Sequence, residues 1–162
     1  MTSRRDVVDD IRATWAVRFP ELDTEPMEVI GRILRAARFL QEAADGWLAG
    51  AGLTRAEFDL LSQLRRSGAP LRPGELTAGV VGSPAATTKR LHKLVDAGLV
   101  RRATDPDDAR AARVSLTPSG ERLVDELLPR QLVAEESLLE VLTPDQQRRL
   151  AGLLRTALLG WE

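Results

Sequence analysis

The chain has 162 residues, 43% of them hydrophobic and 29% charged, which is the composition of a globular protein and excludes a disordered or fibrous chain. It contains no cysteine, which excludes disulfides, thiolate metal sites and thiol redox switches. The net charge is −1, but Ser83 to Arg113 holds seven Lys and Arg against four Asp and Glu. A locally basic segment in an otherwise acidic chain suits a polyanion such as DNA.

Neither an enzyme nor a membrane protein is indicated by the composition. His92 is the single histidine and there is no tyrosine, so groups that titrate near neutral pH are almost absent. No glycine-rich phosphate loop is present, so no cofactor is predicted. No run of about 18 apolar residues and no signal-peptide core occur, which predicts a cytoplasmic protein without a membrane partner.

Two helices are predicted in the N-terminal part of the chain. Arg5 to Arg18 has apolar residues at helical spacing: Val8, Ile11 and Trp15. The segment Asp23 to Pro26 is a helix-start signal, and the helix that follows is expected to end near the break from Gly50 to Gly52.

The next three predicted helices contain a helix-turn-helix pattern. Thr54 and Glu57 form a capping box that opens a helix ending at Gly68. Pro73 to Ala78 is a short helix, and Ser83 opens another that ends at Gly98. The last of these is expected to bury Thr88, Leu91, Leu94 and Val95, and to expose Ala86, Lys89, Arg90 and Lys93. Taken alone, these helices also fit a generic helical hairpin.

A β-hairpin and two helices follow. Leu99 to Ala103 and Arg113 to Leu116 are predicted strands around a turn at Asp105 to Asp108, which favours a winged helix-turn-helix. Thr117 opens a helix that runs to about Val141 with a kink at Pro129. A capping box from Thr143 to Gln146 opens the last helix.

The predicted fold is mainly α with a small β-wing, in a single domain over 1–162. Within it, 53–117 form the winged helix-turn-helix DNA-binding lobe, and 1–50 and 118–162 form N- and C-terminal dimerisation helices. The outer helices have more apolar surface than one small wing domain needs to cover, which favours a homodimer. The alternative is that they cover an intramolecular core.

The wing resembles that of the MarR family of transcription factors. The matching residues are Asp108-x-Arg110 followed by Val114-x-Leu116-Thr117-x-x-Gly120. The resemblance implies that Asp108 braces the wing and that Arg110 enters the DNA minor groove, where negative potential is concentrated. The expected DNA-binding residues are Ser83, Ala86, Thr87, Lys89, Arg90, Lys93, Asp108 and Arg110.

Within that family, Leu22 to Arg32 and Glu57 to Gly68 resemble the PecS-like, urate-responsive branch. The resemblance implies that Trp15, Asp59 and Arg90 contact a small anionic effector. A flat anion would stack on the tryptophan and pair with the guanidinium. The alternative is structural: Trp15 packs in the dimer core, and Asp59 and Arg90 form an ion pair.

The sequence therefore predicts a ligand-responsive homodimeric repressor that binds palindromic double-stranded DNA and is released by urate or another aromatic or carboxylate anion. Two other functions stay open: a winged-helix protein-interaction module, and a MarR-fold DNA-binding protein without a small-molecule ligand. An enzyme is disfavoured because His92 has no glycine elbow or oxyanion motif around it.

Overall fold

A computed structural model describes residues 5–80, 83–105 and 108–161, and at Ala109 and Arg110 it describes the backbone alone. These ranges hold seven α-helices and one two-stranded antiparallel sheet in the predicted order, so the mainly α fold with a β-wing is confirmed. The elements are α1 (Val7–Arg18), α2 (Glu25–Leu48), α3 (Arg55–Ser67), α4 (Pro73–Ala78), α5 (Pro84–Asp96), β1 (Val100–Asp105), β2 (Asp108–Leu116), α6 (Pro118–Leu139) and α7 (Pro144–Trp161).

The chain divides into two compact units, residues 1–55 and 56–162. The first contains α1 and α2, joined by a close packing contact and an ion-pair cluster. Val8 is buried, and a Cβ added to Gly31 would lie 3.2 Å from its Cγ1. Arg32 of α2 reaches back to Asp6 and Asp9, with nitrogen–oxygen distances of 2.8 Å to each. These contacts fix α1 against α2.

The second unit has an apolar core between the helices and the wing. Its buried side chains include Phe58, Leu60, Leu61, Leu64, Leu76, Leu91, Leu94, Val100, Val114, Leu116, Val124 and Leu127. Thr117 connects the wing to α6, since its hydroxyl donates to the Gly98 carbonyl at 2.7 Å and accepts from the Gly120 amide. A Cβ at Gly120 would collide with the Leu99 carbonyl oxygen, so glycine permits this close approach.

Several predicted boundaries are confirmed by local chemistry. Gly52, Gly68 and Gly98 have left-handed φ values of 69°, 64° and 68° where helices were predicted to stop. The capping box at Thr143 is present: the Thr143 amide donates to Oε1 of Gln146 at 2.8 Å, and the Gln146 amide donates to the Thr143 hydroxyl at 3.3 Å. The segments 81–82 and 106–107, which were assigned to a helix end and to the wing turn, lie outside the described residues.

Other boundaries differ from the prediction. Helix α1 begins at Val7 because Asp6 is its N-cap and accepts from the Val8 and Asp9 amides. Strand β2 begins at Asp108 rather than Arg113, since a run of alanine and arginine shows no alternation from which a strand is predicted. Helix α6 runs through Pro129 and ends at Leu139. Of the described helices, none is long and apolar enough to cross a membrane.

Candidate nucleic-acid interface

Helix α5 is the second helix of the helix-turn-helix. Ser83 caps it by accepting from the Ala86 amide at 3.3 Å, and Pro84 supplies its first turn. The buried residues Thr87, Leu91 and Leu94 form the inner stripe. The outward face consists of residues at helical spacing that are all exposed: Ala85, Thr88, Lys89 and His92.

In the structure Thr87, and not the predicted Thr88, faces the core beneath α5. Thr88 is exposed, and its hydroxyl bonds to the Pro84 carbonyl at 3.0 Å. Thr87 is 1% exposed, so the expectation that its side chain contacts DNA is wrong. Both threonines share a helical stripe with the leucines that follow, and periodicity does not decide between them. Contact with the apolar core determines which of the two threonines is buried.

Lys93 lies one turn beyond Lys89 but has a different environment. Its Nζ atom is 2.9 and 3.0 Å from the two carboxylate oxygens of Glu57, a buried residue of α3. A buried carboxylate needs such a partner, because an unpaired charge away from water is costly. Lys93 therefore connects α5 to α3, a role that the sequence analysis missed because it assigned Glu57 to a helix cap.

The three predicted effector residues lie in different units. Trp15 belongs to the first unit, is 42% exposed and has its ring 5.6 Å from that of Phe19. Asp59 and Arg90 are half-buried residues of the second unit. Arg90 has a buried Nη1 atom without a hydrogen-bond partner among the described residues. The association of the three residues in one pocket stays a prediction.

The wing contains a buried carboxylate that the sequence analysis missed. Asp105 lies at the end of β1 with its side chain fully buried, and its Oδ2 atom is 2.9 Å from Nε of Arg72 and 3.1 Å from Nε of Arg113. Asp108 is exposed. The hydrogen bond and charge of Asp105, with smaller effects of the Glu75 and Asp108 charges, raise the pKa of Arg72.

The predicted minor-groove contact belongs to Arg110, whose side chain lies outside the described residues. The brace predicted for Asp108 likewise stays a prediction. Arg102 of β1 is a further exposed cation that sequence reasoning missed, with Nη1 3.2 Å from Nε2 of His92 on the outward face of α5. Across 5–80, 83–105 and 108–161 no cluster of three or more His, Asp or Glu side chains could hold a metal ion.

The comparisons with known proteins agree with this geometry. A model of the MarR family matches residues 51–111, which span α3, the helix-turn-helix and most of the wing. The transcriptional regulator PecS of Dickeya dadantii is 32% identical over 149 residues, covering 91% of this chain and 90% of PecS. The chain belongs to the MarR family. Its relatives are helix-turn-helix transcriptional regulators rather than enzymes.

Solved MarR-family structures share the winged-helix fold. A mutant of E. coli MarR in complex with operator DNA has a TM-score of 0.72 and 26% identity, covering 85% of this chain and 99% of MarR. BpsR of Bordetella bronchiseptica, whose DNA binding is regulated by 6-hydroxynicotinic acid, has a TM-score of 0.73 and 24% identity, covering 86% of this chain and 94% of BpsR. This MarR-family chain is thus a DNA-binding transcriptional regulator.

Proposed function

We propose that this MarR-family protein is a homodimeric repressor that binds palindromic double-stranded DNA and is released by a small anionic effector. The observation that carries the proposal is the outward face of α5, where Lys89 and His92 are exposed at helical spacing above a buried apolar stripe. A recognition helix with this distribution of charge fits the DNA major groove. An apolar protein partner would need an uncharged patch instead.

The DNA contacts are assigned to residues of the second unit. In α5 they are Ser83, Ala86, Lys89, Arg90 and Lys93. Lys89 is exposed, and Lys93 is paired with Glu57. In the wing they are Asp108 as a brace and Arg110 in the minor groove. Loss of Arg110 should weaken operator binding by about 1 to 3 kcal/mol, the typical value of a good groove contact.

The homodimer is assigned to the outer helices, 1–50 and 118–162, around a DNA-binding lobe over 53–117. Helix α7 supports this assignment because none of its described residues is buried. Its exposed apolar residues are Leu150, Leu153, Leu154, Leu158, Leu159 and Trp161. An apolar helix face of this kind is stable in water only when another surface covers it, and a second copy is the simplest cover.

The effector is assigned to a site that includes Trp15, Asp59 and Arg90. Its support is the buried Nη1 atom of Arg90 without a described partner, because a planar anion could accept hydrogen bonds from that guanidinium. Trp15 offers an exposed ring for stacking. The chemical class is urate or another aromatic or carboxylate anion, and the regulation of BpsR by 6-hydroxynicotinic acid is an instance of that class.

The test is a footprint on the DNA upstream of the gene for this protein, with and without urate and aromatic carboxylates. We expect a protected palindrome that is lost when an active anion is added. The experiment is repeated with Trp15→Phe, Asp59→Asn and Arg90→Lys, each checked for dimer mass by light scattering. Equal release of the wild type and the variants by the same anion would exclude this pocket.

Two other outcomes would favour the alternative functions. Protection of the DNA that no anion reverses would indicate a regulator without a ligand. Absence of any protected DNA would favour a protein-interaction module.

A further inference from the structure

Arg102 of β1 reaches from the wing to the outward face of α5. It lies opposite Val114 in the hairpin and on the same face of its strand as Val100, and both valines are buried. Arg102 itself is exposed, and its Nη1 atom lies 3.2 Å from Nε2 of His92. The aliphatic stem of an arginine can follow an apolar surface while its charged end stays in water. Arg102 therefore starts on the inner face of the wing and places its guanidinium beside α5.

The contact between Arg102 and His92 determines which imidazole atom is the acceptor. A guanidinium has donors only, so Nε2 of His92 accepts this hydrogen bond and holds no proton. The imidazole is then neutral, with its proton on Nδ1, and Arg102 keeps its full positive charge. In the part of the chain that the structure describes, no carboxylate forms an ion pair with Arg102. The other donors of this guanidinium are available to a ligand.

The position of this cation favours the DNA backbone as its ligand. Lys89 lies one turn before His92 on the same exposed face of α5, and it too has no ion pair with a described residue. A recognition helix in the major groove lies between two sugar–phosphate chains. A cation beside that helix, on the side of the wing, is therefore expected to face phosphate rather than base edges. A planar guanidinium suits that ligand, because it can donate two parallel hydrogen bonds to phosphate oxygens.

We infer that Arg102 binds a phosphate of the DNA backbone between α5 and the wing, and that His92 is the residue that positions its guanidinium. The inference rests on the DNA binding of the family and on the proposed orientation of α5. It adds a contact that is independent of base sequence, because phosphate contacts fix the position of a protein on the duplex without reading it.

The first experiment compares Arg102→Gln with Arg101→Gln in titrations of operator and unrelated duplex DNA at several salt concentrations. Arg101 is the matched control: it is the adjacent exposed residue of β1, lies on the opposite face of the strand, and donates from Nε to the Ser115 hydroxyl at 2.9 Å. Both variants change the net charge equally. We expect Arg102→Gln alone to weaken binding to both duplexes by the same factor and to lower the slope of log K against log salt by about 0.9, the value for one phosphate.

Equal slopes for these two variants, whether changed or not, would overturn the phosphate contact. Retention of a protected palindrome in that case would leave the proposed function standing. A wild-type protein that binds neither duplex would contradict the proposed function as well.

The second experiment tests whether His92 acts through Arg102. His92→Leu removes the acceptor, whereas His92→Gln keeps one in its side-chain carbonyl, and both substitutions favour helix at this exposed position. Both are made in the wild type and in the Arg102→Gln background, and binding is measured at about pH 8, where imidazole is neutral. Each variant is compared at equal dimer content and below its unfolding midpoint.

We expect His92→Leu to weaken DNA binding and lower the salt slope in the wild-type background only, and His92→Gln to retain both. Equal weakening by His92→Leu in the two backgrounds would indicate that His92 contacts DNA directly, which would overturn the positioning role. Unchanged binding by His92→Leu in the wild-type background would overturn it too.

Discussion

Lys89 and Lys93 are the only lysines of the chain and lie one helical turn apart, yet their environments differ. Lys89 is exposed on the outward face of α5, whereas Lys93 is paired with the buried carboxylate of Glu57. The same residue type therefore stabilises the fold through an ion pair at position 93, whereas at position 89 its contribution is the proposed DNA contact alone. A sequence pattern alone treats both as surface cations.

This difference gives a prediction. Lys89→Ala should leave the free energy of unfolding unchanged and lower the slope of log K against log salt by about one unit. Lys93→Ala should reduce the free energy of unfolding by about 1 to 3 kcal/mol, because the Glu57 carboxylate is left buried without this cation. Urea unfolding of both variants measures the free energies, and DNA titration at several salt concentrations measures the slopes. A larger loss of stability in Lys89→Ala than in Lys93→Ala would contradict the assignment.

Sequence reasoning predicts residues whose hydrogen-bond partners are close in the chain, and it fails for residues whose burial depends on tertiary packing. The caps at Ser83 and Thr143 bond to amides within three residues, and both were predictable. The burial of Thr87 in place of Thr88 depends on the core beneath α5. The burial of Asp105 depends on Arg72, which is 33 residues away in sequence.

Packing between elements depends on two glycines. Gly31 allows α2 to approach Val8 of α1, and Gly120 allows α6 to approach the Leu99 carbonyl. Helix existence and order were predictable from apolar spacing, but such close approaches were not, because they join segments that are not neighbours in sequence. The extension of the wing strands to Asp105 and Asp108 was missed for the same reason: pairing across the hairpin, rather than alternation, holds that part of the sheet.

Gly120→Ala tests the contact between α6 and the wing. A Cβ at this position would collide with a backbone oxygen that no side-chain rotation can move, so we expect a loss of about 2 to 3 kcal/mol in the free energy of unfolding. Gly46→Ala is the control, because a Cβ at this helical position meets nothing within 4 Å and should be neutral or stabilising by up to about 1 kcal/mol. Denaturant unfolding of both variants measures the contrast, and equal effects would refute it.

The contact between α1 and α2 should depend on acid. Hydrogen bonds from the Asp6 backbone and from Arg32 hold the pKa of Asp9 below its ordinary value. For Asp6, desolvation raises the pKa, but hydrogen bonds from the Asp9 backbone and from Arg32 outweigh it, so that its pKa is also lowered. Because both pKa values are depressed in the folded chain, the stabilisation is present above the unfolded value and is lost as pH falls through the folded values.

We therefore expect the stability difference between the wild type and Arg32→Gln to be largest near neutral pH and to shrink below about pH 4. Protonated Asp6 and Asp9 no longer attract Arg32. Arg38→Gln, which breaks an exposed pair with Glu42 one turn away, is the control and should have little effect at any pH. Urea unfolding at a series of pH values gives the comparison. A difference that is independent of pH would show that Arg32 acts by packing alone.

At the scale of the whole molecule, the chain combines a packed DNA-binding lobe with outer helices that leave large apolar side chains exposed. The exposed apolar faces of the outer helices were predictable from apolar spacing, whereas the assignment of these helices to a dimer interface stays a prediction. The proposed effector site stays a prediction, since Trp15 lies in one unit and Asp59 and Arg90 lie in the other. Placing them together requires the arrangement of both units, which local patterns do not encode.

The most direct test of the central proposal, a sequence-specific homodimer on DNA, is selection of bound fragments from a fully randomised duplex by the wild-type protein. A dimer that places α5 of each subunit in successive major grooves predicts enrichment of an inverted repeat with half-site centres about 10 base pairs apart. The same selection with Lys89→Ala should enrich the repeat more weakly. Failure to enrich any sequence, or enrichment of a single asymmetric site, would contradict the proposed mode of DNA binding.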